Sequence, residues 1–414
     1  MTAVGNSRVN RKIAWVGFLI ATLVFAFIFT IASIYIIPVS EEFGIPRATF
    51  SFHTTINFIA SIICSMFYSK LFHKLPVVPL MSFATILACG CFLAYSYATN
   101  IYHFYITSFV LGFCTVAFGG MGISLLVGRY CGESDGSSLG LALSGSGFGA
   151  MVFTPVYSRI IEMWGWRVSY RILAALVFVA MFAAIFLVIR KAVPADELIA
   201  ARAGAEPETV KSPVKTGIHS STTEYMKDCR TWLIALGILL MGVTGIVLNT
   251  TNYSFSVELG FGESNSALMV SLATAVLMLS KIIAGRAADK IGIPPVIIAS
   301  CVLQIVGYLI DSFAGTASWL AVPGIIIYEL GNHISTVGIP LVALEIFGEG
   351  AYPMVAGIFT AAVLIGNAIG PPVANALFDA TGSYIPCLKL MIVVSIAVTV
   401  LFVMLFRKNR KSAG

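Results

Sequence analysis

Apolar runs of about twenty residues or more recur along this chain from Ala14 to Phe406, and they do not alternate apolar with polar residues. A run of that length crosses the hydrocarbon of a bilayer as a helix. Hydrocarbon holds no water to satisfy open backbone, so only helices or a closed barrel can span it. A barrel would show alternation, which is missing here. Composition agrees: 58% of residues are hydrophobic, 11% are charged and the mean hydropathy is +0.94. A soluble domain has too little polar surface to hide that much apolar area. The expected fold class is therefore an all-α polytopic membrane protein.

The runs resolve into twelve spans, near 13–37, 48–69, 77–97, 102–127, 136–158, 168–190, 231–257, 265–284, 294–313, 318–345, 351–378 and 384–406. Residues 191–230 are rich in charge, Pro, Ser and Thr and lack apolar periodicity, as in a linker. The expected organisation is an N-terminal six-helix bundle (1–190), a cytoplasmic linker (191–230) and a C-terminal six-helix bundle (231–414). Placing the N-terminus inside puts 19 of the 25 Lys and Arg residues on cytoplasmic segments, which predicts both termini and the linker in the cytoplasm. The net charge of +6 then reads as a topology signal, with no nucleic-acid partner. Arg8, Arg11 and Lys12 precede the first run like a signal peptide, but the run is too long, so it reads as an uncleaved first helix. The eight cysteines form no paired metal pattern and read as packing residues.

The halves repeat. A shift of 217 residues lays Gly149 on Gly366, Pro155 on Pro372, Glu162 on Asp379 and Gly165 on Gly382. A shift of 216 lays the segment from Ser69 to Pro76 on that from Gly285 to Gly292. Parallel six-span repeats are the internal symmetry of a class of transporters that bind substrate near the midplane.

On these residues the chain resembles the major facilitator superfamily, which implies two pseudo-symmetric six-helix bundles. Gly285, Asp289, Lys290 and Gly292 match that superfamily's loop motif, and Arg286 completes a cytoplasmic gating turn from Gly285 to Gly292. The usual following basic pair is replaced by Ile293 and Pro294, and His73 stands where the first-half copy has Asp. Within the superfamily the chain resembles the monocarboxylate porters and oxalate/formate antiporters. The carriers are Gly145, Gly147, Pro155 and the triplet Gly165-Trp166-Arg167, with the run PVSEEFG after the first span. In those families a basic residue four before a Gly on the eighth span binds the substrate carboxylate. Lys281 stands there, before Gly285. Leu277 replaces the Asp that the monocarboxylate porters carry, and no second basic residue lies between Met354 and Phe378. A single cation favours a monoanion.

The residues also speak for themselves. An amine inside a span costs roughly 2.5–3.5 kcal/mol on insertion scales, so Lys281 either faces a cavity or snorkels to the cytoplasmic surface. Glu329 and His333 are four apart and share a face of the tenth span. They form either a proton-coupling pair or a structural hydrogen-bonded pair. Asn249 to Tyr253 make five polar residues in a row, which cannot all face lipid. Asn249 and Tyr253 are candidate substrate contacts, as are His53 and Asn57 on the second span; helix–helix contacts are the alternative. Glu162, Asp379, Asp311 and Glu345 sit at span ends and read as structural.

The expected activity is that of a secondary transporter moving a small organic anion, a monocarboxylate, across the cytoplasmic membrane. The resemblance implies alternating access with proton symport or anion exchange. The alternative is a proton-antiport exporter of amphipathic or cationic compounds that uses Glu329. No enzyme constellation, metal site or phosphate loop is present in the sequence, so no cofactor is expected. The expected partners are the anion, protons or a counter-anion and membrane lipid, with the chain acting as a monomer.

Overall fold

The computed structural model describes residues 7–75, 77–119, 122–123, 126–127, 136–186, 229–333 and 338–413. Nearly all of the expected linker lies outside these residues. Among the described residues the regular elements are helices. The first span is interrupted: α1 (Ser7–Ile20) passes through a π turn (Ala21–Phe25) into α2 (Ala26–Phe29), a 3-10 turn (Ile31–Tyr35) and α3 (Ile36–Phe43). Then come α4 (Arg47–Lys74), α5 (Val77–Ser96), α6 (Ile101–Phe118) and α7 (Gly136–Ala184). After the linker follow α8 (Cys229–Glu258), α9 (Glu263–Ile291), α10 (Ile293–Ser312), α11 (Ala321–Asn332), α12 (Gly338–Thr381) and α13 (Ile385–Ala413). Nine helical stretches among the described residues are long and apolar enough to cross a membrane. Large apolar side chains such as Phe67, Ile106, Val179, Leu268, Val393 and Met404 point outward, as a lipid-facing surface requires.

The chain divides into two compact units. One comprises Met1–Phe43 with Ile56–Ser212, the other Gly44–Thr55 with Pro213–Gly414. The first turns of α4 thus belong to the second unit. There the Asp379 carboxylate accepts the backbone N–H groups of Arg47 (3.1 Å) and Ala48 (2.8 Å). These are donors that a helix start leaves unpaired, so Asp379 caps α4 from another helix.

Each unit is closed by the same two devices, and the sequence repeat accounts for both. The first is a close crossing. A Cβ at Gly149 on α7 would collide with the carbonyl oxygen of Thr22, and one at Gly366 on α12 with that of Leu239. Thr22 and Leu239 are related by the same shift of 217 residues as the two glycines. The Thr22 hydroxyl also donates to the Gly145 carbonyl at 3.0 Å from inside the π turn. The second device is an acid at a helix end. α7 holds two spans joined at Gly165, whose φ of 80° is a turn conformation that glycine adopts without a Cβ penalty. Gly382, its counterpart, has φ 75°. Next to Gly165, the Trp166 indole N–H and the Arg167 guanidinium both donate to the Glu42 carboxylate. Next to Gly382, the Ser383 hydroxyl (2.6 Å) and the Tyr384 N–H (3.0 Å) both donate to Glu258. The PVSEEFG run and the Gly-Trp-Arg triplet, far apart in sequence, are thus two sides of one clamp.

Two boundaries differ from expectation. The segment from Gly285 to Ile291 is the end of α9, and the turn is confined to Gly292 (φ 88°), whose N–H bonds the Ala288 carbonyl. Arg-Ala-Ala-Asp-Lys-Ile contains no helix breaker, so the helix runs on to the first glycine that can cap it. Likewise α12 is helical through residues 346–350, where a connecting loop is expected.

Candidate functional site

The second unit carries a buried polar cluster on α9, α10 and α11, three helices that pack on one another. α10 and α11 approach closely at Gly307, opposite the backbone of Tyr328. That crossing brings the polar side chains of both helices together. On α11, Glu329 is 1% exposed and Asn332 is 2% exposed. The Gln304 amide of α10 donates to the Asn332 carbonyl at 3.3 Å, and the Asn332 amide donates to Glu329 Oε2 at 3.0 Å. One turn along, the Ser300 hydroxyl and His333 Nε2 are 2.9 Å apart, while His333 Nδ1 lies 3.0 Å from the Leu330 carbonyl. Ser300 also donates to the Val296 carbonyl at 2.7 Å. The Leu330 carbonyl can only accept, so Nδ1 carries the proton of the neutral ring and Nε2 accepts the Ser300 hydroxyl, for which Val296 is the alternative acceptor.

Lys281 projects from α9 and is half-buried. It lies within electrostatic reach of Glu329 and of His333. The structure thus brings together three of the sequence-selected residues, Lys281, Glu329 and His333, in one unit. A cation and a carboxyl that feel each other in a low-dielectric setting stabilise one another, and each then responds to charge brought to the other.

The remaining candidates have other surroundings. On α8, Tyr253 is buried and Asn249 is partly exposed; the intervening Thr250 and Thr251 hydroxyls return to the helix backbone. His53 is buried, with Nδ1 2.6 Å from the Phe50 carbonyl. Asn57 bridges α4 to α6: its amide donates to the Ser108 carbonyl at 3.3 Å, and its carbonyl accepts the Thr115 hydroxyl at 3.2 Å. That is a helix–helix role for Asn57. Of the residues expected to form the gating motif, Arg286 and Lys290 are exposed, and the burial of Gly285 and Asp289 lies outside what is described.

Sequence reasoning missed Ser300, Gln304, Asn332 and the burial of Asp311. A signal existed. Ser300, Gln304 and Asp311 recur at helical spacing and lay a polar stripe along one face of an otherwise apolar span. Tyr308 and Tyr328 anchor the stripe from the side, both donating their hydroxyls to the Thr244 carbonyl of α8, at 2.5 and 2.9 Å.

Known proteins are similar to this chain. The sequence profile described as Major Facilitator Superfamily matches residues 17–337 and 234–414. Monocarboxylate transporter 12 of Homo sapiens is 23% identical over 329 residues, which cover 70% of this chain and 60% of that protein's length. Monocarboxylate transporter 2 of Mus musculus is 24% identical over 368 residues, covering 80% of this chain and 72% of that protein. Among solved structures, the nucleoside transporter NupG superposes with a TM-score of 0.74 at 13% identity, covering 96% of this chain and 99% of that one. At that identity the likeness concerns the fold alone.

Proposed function

The chain belongs to the major facilitator superfamily, and from that premise we propose that it carries a small monocarboxylate across the cytoplasmic membrane by alternating access. The observation that supports this most is Lys281: an amine on a membrane-spanning helix, half-buried and in electrostatic reach of the buried Glu329. The relatives named as monocarboxylate transporters point to the same substrate class.

In this reading Lys281 binds the substrate carboxylate as a point charge, where Arg would grip it with a fork. Empty, Lys281 is balanced by Glu329. An arriving carboxylate competes for that balance, so Glu329 is left with an uncompensated charge in a dry setting. Taking a proton removes it. Substrate and proton then load together and leave the cluster neutral, which lowers the cost of the rearrangement that exposes the site to the other side. His333, held between Ser300 and the Leu330 carbonyl, is the neighbouring proton acceptor. Asn249 and Tyr253 of α8 and His53 of α4 supply candidate polar contacts to the rest of the substrate. Exchange of one carboxylate for another needs Lys281 alone; net symport needs the acid as well. Both termini face the cytoplasm, and Gly285 to Gly292 form the cytoplasmic end of the gate.

Thermal stabilisation of the purified protein tests this across acetate, lactate, pyruvate, simple amines and sugars. A ligand at about 100 times its dissociation constant adds about 2.7 kcal/mol. The expected outcome is stabilisation by one or more monocarboxylates that disappears in Lys281→Ala. Stabilisation by amines alone, retained in Lys281→Ala, discards the anion reading in favour of a cation exporter centred on Glu329.

A further inference from the structure

Gln304 of α10 and Asn332 of α11 are both buried, next to the buried Glu329. Gly331 brings the two amides into reach. A Cβ there would collide with the Ser300 carbonyl oxygen and the Gln304 backbone nitrogen, so α11 lies against α10 at this turn. Two amides between spans act as plain glue when each donates to the other. Here the Gln304 NH2 donates to the Asn332 carbonyl at 3.3 Å, and the Asn332 NH2 donates to Glu329 Oε2 at 3.0 Å. The chain of donors ends on a titratable acid, which glue does not need. A buried amide pair is costlier than apolar side chains of similar size, so its presence calls for a reason.

The acid fixes the direction of the chain. An ionised carboxylate only accepts. Asn332 therefore faces it with its NH2 and turns its carbonyl to α10. Gln304 must then face that carbonyl with its own NH2. The bond to Glu329 is charge-assisted and favours the ionised acid over the protonated one. The charged and titratable groups around Glu329 are Lys281 of α9, Tyr308 and Asp311 of α10, Tyr328 of α11 and His333 at its end. Asp311 itself packs on Gly324 of α11. The two amides carry no charge at any pH, so substitution separates their hold on Glu329 from the action of these groups.

We propose that Asn332 and Gln304 are positioning residues of the proton site: Asn332 holds Glu329 ionised, and Gln304 holds Asn332 in its donating orientation. The inference rests on the proton-coupled reading of Glu329 given above. The pair sets the pH at which Glu329 takes its proton. It resists protonation before the substrate carboxylate arrives at Lys281, and it favours the carboxylate again once substrate has left.

The test has two arms, both on the full chain. The first is infrared spectroscopy in lipid nanodiscs with 13C-labelled glutamate, following the protonated carboxyl band that Glu329→Gln abolishes. In Asn332→Leu that band is expected to persist to a pH higher by about one unit or more, because a donor to the ionised form is gone. Gln304→Met keeps Asn332 in place and is expected to move the band the same way by less. It carries the test alone should Asn332→Leu fail to fold. The second arm is the pH profile of labelled lactate uptake into proteoliposomes, which is expected to move to higher pH together with the band. A merely structural amide pair would change the rate or the melting temperature and leave both midpoints in place. Unchanged midpoints in the folded variants overturn the proposal while the proton-coupled reading of Glu329 stands. A band that moves while uptake keeps its wild-type profile overturns that reading, and this proposal with it. Wild-type uptake with no response to pH, or a spectrum with no band that depends on Glu329, has the same consequence.

Discussion

The repeat leaves its clearest mark on single acids at helix ends. Glu258 accepts the Ser383 hydroxyl and the Tyr384 N–H, so it satisfies an orphan donor at the start of α13 and fixes the turn at Gly382. Removing it in Glu258→Ala leaves both donors without their acceptor. A loss of about 1–3 kcal/mol is expected, read as a lowered melting temperature in detergent. Glu41→Ala, on an exposed side chain near the clamp of the first unit, should stay within about 0.5 kcal/mol of wild type. Equal effects from the two would show that the clamp at Glu258 contributes nothing specific. These acids also mark how far single residues can be read. Lys281, Glu329 and His333 stand out in the sequence because charge is rare inside spans. Asp311 does not stand out, because its burial depends on Gly324, which lies on another helix.

At the scale of the helices, the glycine crossings carry the pseudo-symmetry into three dimensions. Gly149 and Gly366 each admit a carbonyl oxygen from the first helix of their own unit, Thr22 and Leu239 respectively. In a membrane such close backbone approach replaces the hydrophobic drive that holds helices together in water. Gly149→Leu and Gly366→Leu are therefore expected to destabilise to similar extents, by about 1–3 kcal/mol or more from overpacking. Thermal melting of the two variants checks it; a large effect in one unit and none in the other would mean that the sequence repeat does not extend to packing. Helix existence was legible from apolar run length. Helix ends were not. The π and 3-10 turns that interrupt the first span, and the continuation of α9 to Ile291, depend on which backbone groups neighbouring helices satisfy. For α9 the signal was present, since Gly292 is the first residue after the span that caps a helix at positive φ.

For the whole molecule, the orientation rests on charge asymmetry alone, and one cysteine offers a test of it. Cys229 opens α8 and is exposed, whereas Cys89, Cys91, Cys114, Cys301 and Cys387 are buried and Cys64 is intermediate. A thiolate must meet reagent to react, so an exposed thiol labels where buried ones stay silent. Cys229 is the next-to-last residue of the linker, 191–230, that the basic residues assign to the cytoplasm. In a Cys64→Ser, Cys131→Ser background, a membrane-impermeant maleimide should label inside-out vesicles and leave intact cells unlabelled. Labelling of intact cells would reverse the assignment. The gate proposed at Gly285 to Gly292 would then lie outside the cell, and the proton of the proposed coupling would enter the Lys281–Glu329 cluster from the opposite face. The same experiment therefore fixes the sense in which a proton gradient could drive the cycle.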